Sequence, residues 1–430
     1  MVENMTRQRF LHNLINIIAV FLFAVFILFE GYAWGKYAFL AASVAIYFLG
    51  LLERNEKVVF RLDAYVLLNI VFIFYVFLTA LWAKSSDSTI IMTRTLIRTF
   101  ICAYIVYLYF VKEKDVSRLL RILMWAGYVV AIYALMFYGV DKLLKAGTDS
   151  SLRAENSFAN VNSIGMCCAL SSMIQVNEFF EKRNRWTCIF LIPVLIVIGA
   201  GQSRKALLFL IVGVFSAFIV KNQNESSVKK ISKIIVGCII ALSFIYLLLQ
   251  LDIFSGIKER METLLNSFSG KGKVDHSALI RAQMIEAGLR EFIEHPIGGI
   301  GISNSYFITL QYLGEKTYLH NNFVELLSCG GIFAFVFYYA IYAYLFYNLW
   351  KYRKVDKKQA MFFTIWLLIM LALDYGSVSY YSKSQNFYLM IHFVNIENLK
   401  RKARAKQIEN NKICESGKKI HYKSQLSISD

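Results

Sequence analysis

The chain has 430 residues, of which 57% are hydrophobic and only 18% charged, with a formal net charge of +18. A soluble protein of this size carries about 25% charged residues, so composition excludes a soluble multi-domain protein and indicates a polytopic α-helical membrane protein. The placement of the positive charge argues against nucleic acid as its partner.

Apolar runs near the ~20 residues that cross a bilayer predict about twelve transmembrane helices, at 13–30, 37–53, 64–83, 93–111, 119–140, 158–177, 186–201, 204–220, 232–250, 323–349, 359–378 and 381–395. The last is short and tyrosine-rich. Pro193 interrupts the seventh and Pro296 closes a loop helix. No internal repeat is evident, which weighs against a transporter built from two matching halves. A transmembrane domain is therefore expected over 1–395, with a long polar loop (251–322) inserted as the catalytic part and a basic tail over 396–430.

With a cytoplasmic N-terminus, the inner segments hold 30 Lys and Arg and the outer loops 15, seven of these in the long loop. That asymmetry is the positive-inside rule applied to an even number of helices, so both termini are expected in the cytoplasm and the long loop outside. The tail (Lys400, Arg401, Lys402, Arg404, Lys406) suits membrane lipids of negative charge. The first apolar run reads as a retained anchor, with no small-residue cleavage site behind it. None of the seven cysteines lies in the long loop, so they read as packing residues rather than disulfides or metal ligands.

Within the loop, Ser277 to Ile293 predicts an amphipathic helix. At about 100° per residue, Arg281 shares the apolar face with Ile285, Gly288 and Phe292, whereas Gln283, Glu286 and Arg290 share the polar one. A cation on a packing face needs a partner, since burying it alone is costly. Arg281 is thus the loop arginine singled out for a role, and Arg290 is not.

Four places bring basic groups to the outer membrane face. Arg94 and Arg98 share one side of the fourth span. The short turn Gly201-Gln202-Ser203-Arg204-Lys205 carries Arg204, with Ser203 placed to cap the next helix. Arg281 comes from the loop helix and His320 from the loop's end. Convergent arginines without a carboxylate cage suit a phosphate or diphosphate bound without metal, and a histidine of near-neutral pKa suits a general base. Each also has a structural reading. Arg94 and Arg98 can snorkel to headgroups, Arg204 can anchor at the interface, and Arg281 can pair with a loop carboxylate. His320, Asn321 and Asn322 can serve the start of the next helix. His276 and His295 are not spaced as metal ligands, no cofactor is indicated, and Gly298-Gly299-Ile300-Gly301 reads as a flexible turn.

Three patterns resemble the bacterial O-antigen polymerase (Wzy) and O-antigen ligase group of membrane glycosyltransferases. They are Ser203-Arg204-Lys205-Ala206 opening a span, the arginine-bearing helix followed by His295-Pro296-Ile297-Gly298-Gly299-Ile300-Gly301, and His320-Asn321-Asn322-Phe323 followed by Gly330-Gly331-Ile332. Asn160-Val161-Asn162-Ser163-Ile164-Gly165 is similar to the family as well. The resemblance implies a GT-C-like fold and metal-independent, inverting transfer of a glycan from undecaprenyl diphosphate at the outer face of the cytoplasmic membrane. It implies that Arg204 and Arg281 bind the diphosphate and His320 activates the acceptor hydroxyl. Arg94, Arg98, Lys205, Asn321 and Asn322 are further expected substrate contacts. Lys205 departs from the small residue often found there. A flippase and a chain-length regulator are the expected partner proteins. The leading expectation is a polysaccharide polymerase for capsule, exopolysaccharide or O-antigen. The alternatives are an O-antigen ligase and, from another class, a flippase for lipid-linked oligosaccharides.

Overall fold

The computed structural model describes residues 2–29, 32–148, 160–181, 185–222, 226–269 and 276–426. Among these residues the chain is helical throughout, with no strand. In chain order the helices are α1 (Val2–Leu28), α2 (Ala33–Arg54), α3 (Ala64–Leu78), α4 (Ser86–Phe110), α5 (Ser117–Tyr138), α6 (Val140–Thr148), α7 (Val161–Phe180), α8 (Leu191–Ala200), α9 (Arg204–Lys221) and α10 (Ser227–Leu249). The long loop contributes α11 (Ser255–Ser269), α12 (His276–Glu294) and α13 (Ser305–Leu313), after which come α14 (Asn322–Tyr352), α15 (Lys357–Leu373) and α16 (Lys383–Leu426).

A helix occupies each of the segments expected to span the membrane, although residue 30 of the first and residues 158–159 of the sixth lie outside the described residues. Among the described residues eight helices are long and apolar enough to cross a bilayer, which makes this a multi-pass membrane protein. They are α1 to α5, α10, α14 and α15. The other four expected spans fall short for local reasons. The segment of α8 begins with a 3₁₀ turn at Arg185–Phe190, and Pro193 sits in the first turn of the helix, where its missing N–H costs nothing. Helix α9 carries Arg204, Lys205 and Lys221 at its ends. Helices α7 and α16 are rich in polar side chains.

The tyrosine-rich last segment becomes the centre of the bundle. From Phe387 to Leu399 nearly every residue of α16 is buried, against α1, α4, α14 and α15. A helix buried on all sides needs its polar groups satisfied by neighbours. His392 Nε2 lies 3.3 Å from the Phe363 carbonyl of α15, Gln359 donates to Asn395 at 2.6 Å, and Asn398 donates to the Lys114 carbonyl at 2.5 Å. Helix α16 then runs on unbroken through the basic tail to Leu426.

The glycine-rich segment after α12 is packed rather than loose, which corrects the expectation of a flexible turn. Gly331, inside α14, has φ +65 and breaks the helix there, while Gly299 opposite has φ +62. Any Cβ at Gly331 would strike the Ile297 carbonyl, and one at Gly299 would strike the backbone of Cys329 and Gly330. The break frees backbone groups, which the loop then satisfies: Ile332 N–H donates to the Pro296 carbonyl at 2.9 Å and Ile300 N–H to Ser328 at 3.1 Å. From the other side Tyr75 donates to the Gly330 carbonyl (2.8 Å), Trp82 to Gly298 (3.0 Å) and Thr89 to Ile302 (2.8 Å). The segment clamps α12 between α3, α4 and the first turns of α14.

Candidate active site

Helix starts set the positions of the site. Asn160 accepts the Asn162 N–H at 2.9 Å and caps α7; Ser203 accepts the Ala206 N–H at 3.3 Å and caps α9, as its place in the sequence predicted. The Ser203 hydroxyl also donates to Asn162 Oδ1 at 2.8 Å, tying the two starts together. Asn321 caps α14 by accepting the Val324 N–H at 3.1 Å. Gly288 of α12 lies directly against Leu319 and Val324, so the loop helix seats on the segment that carries His320.

Around these starts lies a cavity of about 220 Å³. One side is basic: Lys205 from α9, Arg281 from α12, and Tyr318 and His320 before α14. The other side is rich in hydroxyls and amides: Asn160, Asn162 and Ser163 around the start of α7, then Ser377, Ser379, Tyr381 and Ser382 between α15 and α16, and Ser384 and Gln385 in the first turn of α16. Ile27, Phe209 and Met370 supply apolar floor, and Asp374 is the one carboxylate in the lining.

Arg281 is half-buried, on the face of α12 that also buries Met284, Ala287 and Gly288. Arg290 is exposed and pairs only with Glu286 one turn away, at 2.6 Å. Arg281 thus lies inward of Arg290, as the sequence reading has it, but the buried arc runs through Met284, Ala287, Gly288 and Glu291, with Arg281, Ile285 and Phe292 half-buried at its edge. Glu291 was not read as buried; it is, and it binds Lys84 at 3.0 Å.

His320 has φ +56, one of four non-glycine residues in the left-handed region among those described; Gln202, beside Ser203, is another, with φ +47. Non-glycine residues persist there only where the surroundings hold them. Glu325 is one holder: fully buried, it accepts the Leu319 N–H at 3.0 Å and the Ser305 hydroxyl at 2.6 Å. The Tyr318 ring packs on the imidazole at 4.0 Å between centroids. Burial, and after it the charges of Arg281 and Lys205, push the His320 pKa down to about 4. Its imidazole is therefore neutral at physiological pH and able to accept a proton.

Lys205 donates its ammonium to the Gly376 carbonyl across the cavity. Arg204, one residue earlier, is rotated away: it does not line the cavity, and its Nη1 donates to the Arg260 carbonyl of α11 at 3.2 Å. Arg260 returns to the Gln202 carbonyl at 3.4 Å, so Arg204 joins the turn to the loop. Arg94 is exposed and Arg98 half-buried on α4, and neither lines the cavity. Asn321 and Asn322 are buried in its wall. Asn322 accepts the N–H groups of Ser379 (2.9 Å) and Tyr380 (3.1 Å) and donates to Tyr339 (2.9 Å). Its amide is spent on holding the Ser379 turn in place.

The wall between α15 and α16 was not singled out from sequence, although its run of Ser, Tyr and Gln residues is unusual between two apolar segments. Asp374 anchors it, accepting from Ser379 at 2.5 Å and Tyr339 at 3.0 Å. Chemically, the cavity offers two cations for an anion, a neutral base, and a polar neutral surface suited to hydroxyl-bearing ligands.

Residues 188–339 match the family model described as O-antigen ligase, Wzy_C. The chain thus carries a domain of the family that its motifs resemble, and that domain contains Arg204, Lys205, Arg281 and His320. No curated protein matches the chain.

Proposed function

We propose that this multi-pass membrane protein, carrying an O-antigen ligase family domain at residues 188–339, is a polysaccharide polymerase that joins repeat units borne on undecaprenyl diphosphate. The observation that carries this reading is the convergence of Arg281 and Lys205 on His320 at one end of a cavity whose other wall is hydroxyl-rich. The family domain supports a glycosyl-transferring membrane enzyme in general terms; the arrangement of the cavity supports the rest.

In the proposed reaction the donor diphosphate lies against Arg281 and Lys205, with Arg204 holding the α9 turn to α11 behind it. The sugars lie along Ser377, Ser382, Ser384 and Gln385. His320 takes the proton from an acceptor sugar hydroxyl as its oxygen attacks the anomeric carbon. The bond from that carbon to the diphosphate breaks, and the leaving diphosphate keeps the electron pair. Charge building on it is met by the two cations, so the step needs no metal ion. Attack opposite the leaving group inverts the anomeric centre. Removing a positioned general base lowers rates by about 10²–10⁴-fold, so His320→Ala should abolish polymer.

The same reading places twelve spans in the cytoplasmic membrane, in a GT-C-like arrangement with the 251–322 loop outside, and with both termini and the 396–430 tail in the cytoplasm. The basic residues of the inner segments support that orientation. A flippase and a chain-length regulator are the partners such a polymerase would work beside.

The description of the matching family favours a second reading, a ligase that transfers a finished glycan by the same chemistry to a different acceptor. Polysaccharide profiling of a deletion strain, complemented with wild type or His320→Ala, separates the two. A polymerase predicts loss of high-mass polymer and accumulation of single units on the lipid carrier. Full-length polymer retained on its carrier establishes the ligase, and an unchanged profile overturns both.

A further inference from the structure

A second cavity lies at the opposite end of the bundle, between the N-terminal halves of α1 and α5. Roughly 22 Å of helix, at about 1.5 Å per residue, separates His12, in its lining, from Ile27 in the lining of the candidate active site. It holds about 400 Å³ and is graded along its length. His12, Asn16, Arg118 and Arg121 line one end; Val20, Trp125 and Val129 line the other. The spacing of those residues on α5 (118, 121, 125, 129) follows one helix face, and 12, 16 and 20 follow one face of α1, so the cavity is a groove running with the helices.

The two arginines are in different states. Arg118 is buried and bonded through all three nitrogens: Nε donates to Asn16 at 2.8 Å, Nη1 to Tyr109 at 2.7 Å and Glu113 at 2.8 Å, and Nη2 to the His12 carbonyl at 3.2 Å. Arg121, the next residue along the groove, is half-buried and has no hydrogen-bonding or ion-pair partner among the described residues. A cation held in a membrane-embedded groove above an apolar trough is complementary to a ligand with an anionic head and a hydrocarbon tail.

We infer that the α1–α5 groove binds one anionic phospholipid, its phosphate on Arg121 and an acyl chain along Val20, Trp125 and Val129. The inference does not depend on the proposed transferase activity. The Arg118 network shapes the head end, and Trp125, packed on Trp186 and Phe190, gives the chain a rigid flank.

The test is native mass spectrometry of the full chain released from nanodiscs of equal phosphatidylglycerol and phosphatidylcholine. Wild type should retain phosphatidylglycerol about fivefold over phosphatidylcholine, the factor that ~1 kcal/mol per cation at an anionic lipid surface represents. Arg121→Gln should bring the ratio near one, Arg121→Lys should keep most of it, and Val20→Trp should expel lipid of both kinds by filling the trough. Equal retention of the two lipids by wild type overturns the inference and requires no variant. Undiminished preference in Arg121→Gln overturns it too, as does equal loss on replacing the exposed Arg7 by Gln. Displacement of lipid by inorganic phosphate would mean a plain anion site and would likewise overturn it.

Discussion

The buried carboxylate of Glu325 accepts the backbone N–H of Leu319 at 3.0 Å, and so fixes from below the residue that precedes His320. The same carboxylate holds Ser305 of α13 at 2.6 Å. One side chain in the first turn of α14 therefore ties both α13 and the end of the loop that carries His320.

Glu325→Leu should leave the chain inserted and helical yet cost about 10²-fold in turnover, the scale of a 1 Å misplacement of a reacting group. The check is polymer synthesis in proteoliposomes beside circular dichroism. Full activity in that variant would show that Tyr318 and the backbone hold His320 unaided.

Arg281→Ala should remove polymer, whereas Arg290→Ala should behave as wild type. The Arg290–Glu286 pair is exposed and one turn apart, an arrangement worth about 0.3–0.5 kcal/mol. Chain-length profiles of the two variants decide it, and the reverse pattern would sink the assignment of faces on α12.

Lys205 and Arg204 should fail differently. On the proposed mechanism Lys205→Ala lowers kcat, because its ammonium faces the cavity, while Arg204→Ala chiefly raises KM by loosening the turn from the Arg260 carbonyl. Steady-state kinetics with a lipid-linked substrate separate the two.

The pH profile should carry the mark of the two cations. Burial, Arg281 and Lys205 lower the His320 pKa to about 4, so the acid limb of kcat/KM should lie near there. Lys205→Gln removes a charge that opposes the imidazolium, so the pKa rises and the limb moves toward the ordinary histidine value of about 6.5. Bound diphosphate cancels the same charges, so the limb of kcat should lie above that of kcat/KM in wild type. An acid limb that persists unchanged in His320→Gln would exclude His320 as the titrating base.

Gly331→Ala should be destabilising even though it removes no contact. At φ +65 a side chain costs on the order of 1–3 kcal/mol, and here it also meets the Ile297 carbonyl. Thermal denaturation in detergent is the measurement, with Gly314→Ala, in open space at φ +72, as the control for conformation alone.

The place of Arg281 and His320 at the cavity was legible because their cues are local: a helical phase in one case, a polar motif at a helix start in the other. Choosing between Arg204 and Lys205 was not, since adjacent residues sit about 100° apart on a helix and only packing against α7 decides which faces inward. Asn321 shows its capping role in sequence, but Asn322 does not show its own, because Ser379 and Asp374 are more than fifty residues away. The packing of helix α16 was hidden for a related reason. Hydropathy measures fitness for lipid, and a helix surrounded by protein can carry His392, Asn395 and Asn398 where its neighbours bond them. The glycine-rich segment gave no hint of its partners, which lie on α3, α4 and α14.

The cavity draws its two walls from separate stretches of the chain. The cations and the base lie within residues 188–339, whereas the hydroxyl-rich wall comes from the start of α7 and from the turn between α15 and α16, outside that segment. On the proposed function, a lineage of such proteins would change its menu of sugars by rewriting the neutral wall alone, and a chimera that exchanges only residues 374–388 should transplant preference between two of them.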